Sequence, residues 1–170
     1  MSSGVTVSLN SAWGSGPADA FAVGNSGTIL HYNGSAWSPM SSGIATHLYG
    51  VWGSAPENVY AAGRDGALLR YNGSAWSPVV LSGAGDVYSL WGSGANDIFT
   101  AGGDMSDLNG QVWHWDGAAG SLMSLPAGVP LLLDLWGSGA NDVFAVGEGG
   151  VMVHYNGSAW SLFEPSDYSY

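Results

Sequence analysis

One block of sequence occurs four times in this chain. Its last copy, WGSGANDVFAVGEGGVMVHYNGSAWS, runs from Trp136 to Ser161, and the others begin at Trp13, Trp52 and Trp91. Eight residues after each of these tryptophans stands an aromatic (Phe21, Tyr60, Phe99, Phe144) and eleven after it a glycine (Gly24, Gly63, Gly102, Gly147). Three copies add Gly27, Gly66 and Gly150, then Tyr32, Tyr71 and Tyr155, then Trp37, Trp76 and Trp160. The third copy carries five extra residues before Trp115 and has Gly120 in the place of the last tryptophan. A period of about 40 residues constrains the fold more than any local propensity, because each unit must bury its apolar surface against its neighbours.

Within a copy the chain reads as four short β-strands. In residues 44–82 the runs HLYGVW, ENVYAAG, ALLRY and AWSPVVL are each bounded by turn residues. No stretch keeps apolar residues at helical spacing, and glycine recurs too often for a helix. Asn33-Gly34, Asn72-Gly73, Asn156-Gly157 and Asp116-Gly117 stand between the third and fourth runs, where they predict two-residue type I′ hairpins. Asp19, Asn58, Asp97 and Asp142 precede the second run and are expected to close Asx turns on backbone amides. The strands are apolar at successive positions, as in Phe21-Ala22-Val23 and Val143-Phe144-Ala145-Val146. A half-solvated sheet alternates apolar and polar residues; a sheet covered on both faces does not.

Four-stranded antiparallel sheets stacked face to face around an axis satisfy this pattern. The fold class predicted is therefore an all-β propeller with four blades per chain, at about 5–43, 44–82, 83–126 and 127–166. Each copy holds a whole blade, so no strand is left over to close a ring by exchange. Bulky residues at Trp13, Trp52, Trp91 and Trp136 would crowd a four-fold centre. An open array would expose an apolar face at each end. Two chains joined end to start would cover both, giving an eight-bladed ring as a homodimer.

Charge restricts the partners. Arg64 and Arg70 are the only cations against 13 acidic residues, for a net charge of −11. Nucleic acid and anionic membrane surfaces both require cations that this chain lacks. Cysteine is absent, so disulfides and thiolate metal sites are excluded. The first residues show no basic stretch followed by an apolar run, so no signal peptide is expected; cytoplasmic and exported locations both fit this composition.

Candidate chemistry is sparse. His31, His114 and His154 share one repeat position, with Arg70 in the second copy. They read either as a ring of imidazoles or as a hydrogen bond inside each blade copied by duplication, and Arg70 breaks any ligand ring. His47 has no counterpart. Asp104, Asp107 and Asn109 in the long loop of the third copy are weak candidates for calcium, without the EF-hand spacing or its bidentate glutamate. No nucleophile motif or phosphate loop occurs, so neither catalysis nor a cofactor is expected. The Asn-Gly-Ser triplets match a glycosylation sequon, which the turn requirement already explains. Trp37, Trp76, Trp160 and Trp115 are the candidate ligand-binding residues, since aromatic faces stack on sugars; packing between blades is the alternative use of the same rings.

AVGNSGTILHYNGSAW and AVGEGGVMVHYNGSAW resemble blades of bacterial repeat propellers found in secreted and surface proteins. The pattern is similar to sialidase-type Asp-box and photosystem II assembly-factor propellers, with N-G-S-A-W where the Asp-box ending would stand. Trp113 to Gly117, W-x-W-D-G, also looks like the blades of small fucose-binding lectins. These resemblances imply a ring assembled from a few blades per chain; propellers host enzymes, lectins and scaffolds alike, and the missing catalytic motifs set the first of these aside. They leave two functions open: a lectin-like module, or a protein-interaction scaffold.

Overall fold

The computed structural model describes residues 2–106 and 108–163, and all statements below concern those residues. Each repeat forms one four-stranded antiparallel sheet with its strands in chain order. The first sheet is β1 (Leu9–Gly16), β2 (Asp19–Gly24), β3 (Ile29–Tyr32) and β4 (Trp37–Met40). The second is β5 (Leu48–Ala55), β6 (Asn58–Gly63), β7 (Leu68–Tyr71) and β8 (Trp76–Pro78). The third is β9 (Asp86–Gly94), β10 (Asp97–Gly103), β11 (Gly110–Trp115) and β12 (Gly120–Leu122). The fourth is β13 (Leu132–Gly139), β14 (Asp142–Gly147), β15 (Met152–Tyr155) and β16 (Trp160–Leu162).

The turns differ in part from the sequence expectation. Tyr32 pairs with Trp37, so the third hairpin loop is the four residues Asn33 to Ala36 and not a two-residue type I′ turn. Only Gly34 takes a positive φ there, at 89°. Asn33 Oδ1 accepts hydrogen bonds from the amides of Ser35 and Ala36, both at 3.0 Å. A side chain that satisfies two loop amides makes the longer loop stable, and Asn72, Asp116 and Asn156 repeat it. The second turn is a short 3-10 segment at Asn25–Gly27, Arg64–Gly66 and Glu148–Gly150.

The apolar interior lies between blades, in three clusters. Phe21, Val23 and Ile29 of the first blade pack against Leu48, Val51 and Leu69 of the second. Tyr60 and Leu68 of the second meet Val87, Ile98 and Trp113 of the third. Phe99 and Val112 of the third meet Leu132, Leu135 and Trp160 of the fourth. The inner strands stack β1 on β5, β5 on β9 and β9 on β13, and the array is not closed into a ring.

The repeated inner-strand tryptophans do not crowd a centre. Trp13, Trp52 and Trp91 lie between blades, each against the glycine that follows the corresponding tryptophan one blade on. A Cβ at Gly53 would stand 2.7 Å from ring carbons of Trp13, one at Gly92 2.8 Å from the Trp52 ring, and one at Gly137 2.6 Å from the Trp91 ring. The missing side chain is the space the indole occupies.

Candidate functional site

The positions that carry chemistry in the sequence resolve into one network per blade. His31 Nε2 lies 2.6 Å from Asp19 Oδ1, and Ser15 Oγ donates to Asp19 Oδ2 at 2.6 Å. Ser93, Asp97 and His114 repeat this arrangement, as do Ser138, Asp142 and His154. In the second blade Arg70 Nε donates to Asn58 Oδ1 at 2.9 Å and Asn58 Nδ2 to Ser54 Oγ at 2.8 Å. The aspartates therefore bind side chains within their own sheet and do not close Asx turns, because the imidazole on the neighbouring strand offers a stronger partner than a local amide.

Each hydroxyl reaches the carboxylate and not the imidazole, so this is not the order that activates a serine. The carboxyl of Asp142 is held below its ordinary range, first by the Ser138 hydroxyl and then by His154. Each imidazole also lies against an aromatic of its own blade, Phe21, Phe99 or Phe144. The signal for the serine was present in the sequence: W-G-S opens all four copies. His31, His114 and His154 are tied within separate blades, and no group of three or more metal-ligating side chains converges among the described residues.

In the third-blade loop, Asp104 Oδ1 accepts the Ser106 amide at 2.7 Å, which lowers its pKa, and Asn109 bridges to Pro130. Asp107 lies outside the described residues.

The tryptophans proposed from the sequence occupy three situations. Trp76 packs edge-on to Phe21 of the preceding blade, with ring centroids 6.1 Å apart. Trp160 is buried in the interface of the third and fourth blades, where its Nε1 meets Met123 Sδ at 3.3 Å. Trp115 is half-buried against the second blade. Trp37, in the first blade, has no preceding blade in front of it and lines an open groove of about 600 Å³ with Leu9, Ala12 and Ala22.

The two ends of the array are the largest departure from the repeat. Trp136, last of the inner-strand tryptophans, has no glycine to rest on and is 61% exposed. Val146 and Met152 on the same blade are 37% and 36% exposed, while their equivalents Val23, Ala62, Ala101 and Ile29, Leu68, Val112 are buried. At the other end Leu9 is 40% exposed, while Leu48, Val87 and Leu132 at its position are buried. The trailing face of the fourth blade and the leading face of the first thus present apolar side chains that every internal interface covers. Sequence reasoning placed apolar faces at both ends; it missed that W-G pairs each ring with a seat.

No protein-family model matches this chain, and no curated protein does. Solved structures resemble it in fold. YCF48 bound to D1 peptide superposes with a TM-score of 0.72 at 14% identity, over 97% of this chain and 56% of that one. YCF48 from Cyanidioschyzon merolae gives 0.69 at 14% identity, over 95% and 58%. The WD40 β-propeller domain of Doa1 gives 0.53 at 11% identity, over 95% and 69%. The chain thus has the β-propeller architecture, matching the resemblance to photosystem II assembly-factor propellers, and spans little more than half the length of either YCF48 chain.

Proposed function

We propose that this chain is a non-catalytic protein-interaction module that works as half of a propeller, with a second copy as its first partner. The observation that carries this reading is Trp136. Its three equivalents each fill the space above a glycine one blade on, and the glycine at that position in the first blade, Gly14, has no ring on it. Seating Trp136 on Gly14 of a second copy would continue the internal repeat. The same step would bring Leu9 and Trp37 of that copy over Val146 and Met152. Val146 and Met152 are 37% and 36% exposed, so covering them gains only part of the about 1.5–3 kcal/mol of full burial, and the Trp136 ring adds the larger share that works against the entropy of association. Both joints form at once under a two-fold axis, and twice four blades closes an eight-bladed ring.

Light scattering tests this. A species near twice the chain mass of 17.4 kDa, reduced to the chain mass by Trp136→Ala or Met152→Glu, is the expected result. Both side chains are exposed in the single chain, so these substitutions leave the fold intact. A parent that stays at the chain mass at high micromolar concentration overturns the proposal.

A carbohydrate ligand is the second reading, favoured by one observation: the half-buried Trp37 ring borders an open groove. Sugar stacking there competes with the ring joint for the same face. A glycan array probed with the parent and with Trp37→Ala separates them, because only the sugar reading expects binding that this variant loses.

A further inference from the structure

Among the residues that line the interfaces between blades, five repeat positions vary together. The second copy has Asn58 for aspartate, Tyr60 for phenylalanine and Arg70 for histidine; the third has Trp115 for tyrosine and Gly120 for tryptophan. All five meet at one interface, that of the second and third blades. Tyr60 is buried there and donates its hydroxyl to the Ala95 carbonyl at 2.8 Å. The Arg70 guanidinium lies over the Tyr60 ring, 5.7 Å from its centroid. Gly120 leaves vacant the position that Trp76 and Trp160 fill at the other interfaces, and Leu81 takes part of that space. The remainder is a groove of about 540 Å³ bordered by Arg70, Ser77, Val80, Trp115 and Gly120, within the size range of small-molecule sites.

The change at residue 58 is the informative one. An aspartate there, as in the other three blades, would neutralise Arg70 in an ion pair. Asn58 keeps the structural hydrogen bond and leaves the charge uncompensated. No carboxylate lies within ion-pair distance of Arg70 among the described residues, whereas Arg64, the other cation, sits by Asp65. In a chain of net charge −11, most of the surface repels anions, and this half-buried guanidinium does not. A packing replacement alone would be served better by arginine with aspartate than by arginine with asparagine.

We infer that the groove between the second and third blades is a binding site for an aromatic carboxylate. The ring would take the space of the missing indole beside Trp115, and the carboxylate would pair with the free guanidinium nitrogens of Arg70. This chemistry fits both a free aromatic acid and a peptide that ends in an aromatic residue. The site lies inside one chain, so it does not depend on whether a second copy closes the ring.

The test is a titration followed by 1H–15N correlation spectra of the parent, reading Arg70 Nε–H and Trp115 Nε1–H. The probes are indole-3-propionate, a short peptide ending in Trp with a free carboxylate, and the same peptide amidated. Saturable shifts at these two signals with the free acid, the free-carboxylate peptide or both, and not with the amide, are expected; the arm that binds more tightly identifies the source. Arg70→His and Trp115→Tyr install the residues that other blades carry, so the blades can accommodate them, and each should weaken binding by about tenfold or more. No shift at about 10 mM of either carboxylate probe, equal binding of the amide, or unchanged affinity in Arg70→His would each overturn the site.

Discussion

Trp13 rests against Gly53 of the next blade so closely that a Cβ on that glycine would stand 2.7 Å from the ring. The three atoms nearest that point are all ring carbons of Trp13. The contact therefore isolates how one blade receives the next.

Gly53→Ala should destabilise the chain by about 1–3 kcal/mol, the usual cost of overpacking. Gly16→Ala, where nothing lies within 4 Å of the added Cβ, should be close to neutral. Thermal melts of the two variants beside the parent decide this, and equal melting temperatures would show that the interface yields freely.

The hairpin loops give a second expectation. Gly73 has φ of 89° and its Cβ position lies 2.9 Å from Glu57. Gly73→Val forces a β-branched side chain into that region and should cost about 1–3 kcal/mol. Ser74→Ala, which keeps the amide bonded to Asn72, should not. A denaturant melt in which both variants keep the parent midpoint would remove the loop's claim to set the register of β7 and β8.

The network around Asp142 predicts a pH dependence. Asp142 has a lowered pKa because the Ser138 hydroxyl and His154 favour its ionised form. The unfolded chain then takes up this proton at a higher pH than the folded one. The stabilisation is complete above the ordinary carboxylate range and is lost as pH falls through the lowered value. Asp142→Asn cannot titrate, so its melting temperature should fall less than the parent's between about pH 6 and about pH 2. Parallel curves for the two proteins would mean that the network contributes nothing that protonation removes.

Ring closure by a second copy has a thermal signature beyond mass. The melting temperature of the parent should rise with protein concentration, because association adds to the folded state only. Met152→Glu should abolish that slope and leave the low-concentration value near the parent's, since Met152 is already partly exposed in the single chain. A parent with no concentration dependence across the range where light scattering reports a dimer would contradict closure through these faces.

The sequence by itself determined the repeat, the strands and the apolar character of both sheet faces, because these follow from the identity and spacing of residues such as Phe21, Val23 and Gly24, each copied in the other blades. It also carried the candidate rings and the odd second-copy residues Asn58 and Arg70. What it could not carry was which partners those residues meet. Asp19 reads as a turn residue until β3 brings His31 alongside. Asn33 reads as half of a tight turn until the pairing of Tyr32 with Trp37 lengthens the loop. Trp13, Trp52, Trp91 and Trp136 are equivalent in sequence, yet only the last is left exposed. Local spacing fixes what a strand is made of, whereas stacking whole sheets decides which faces are covered and which side chains from distant repeats share an interface. That is why the exposure of Trp136 at the last blade, and the meeting of Arg70 with Trp115 and Gly120, appear only in the tertiary structure.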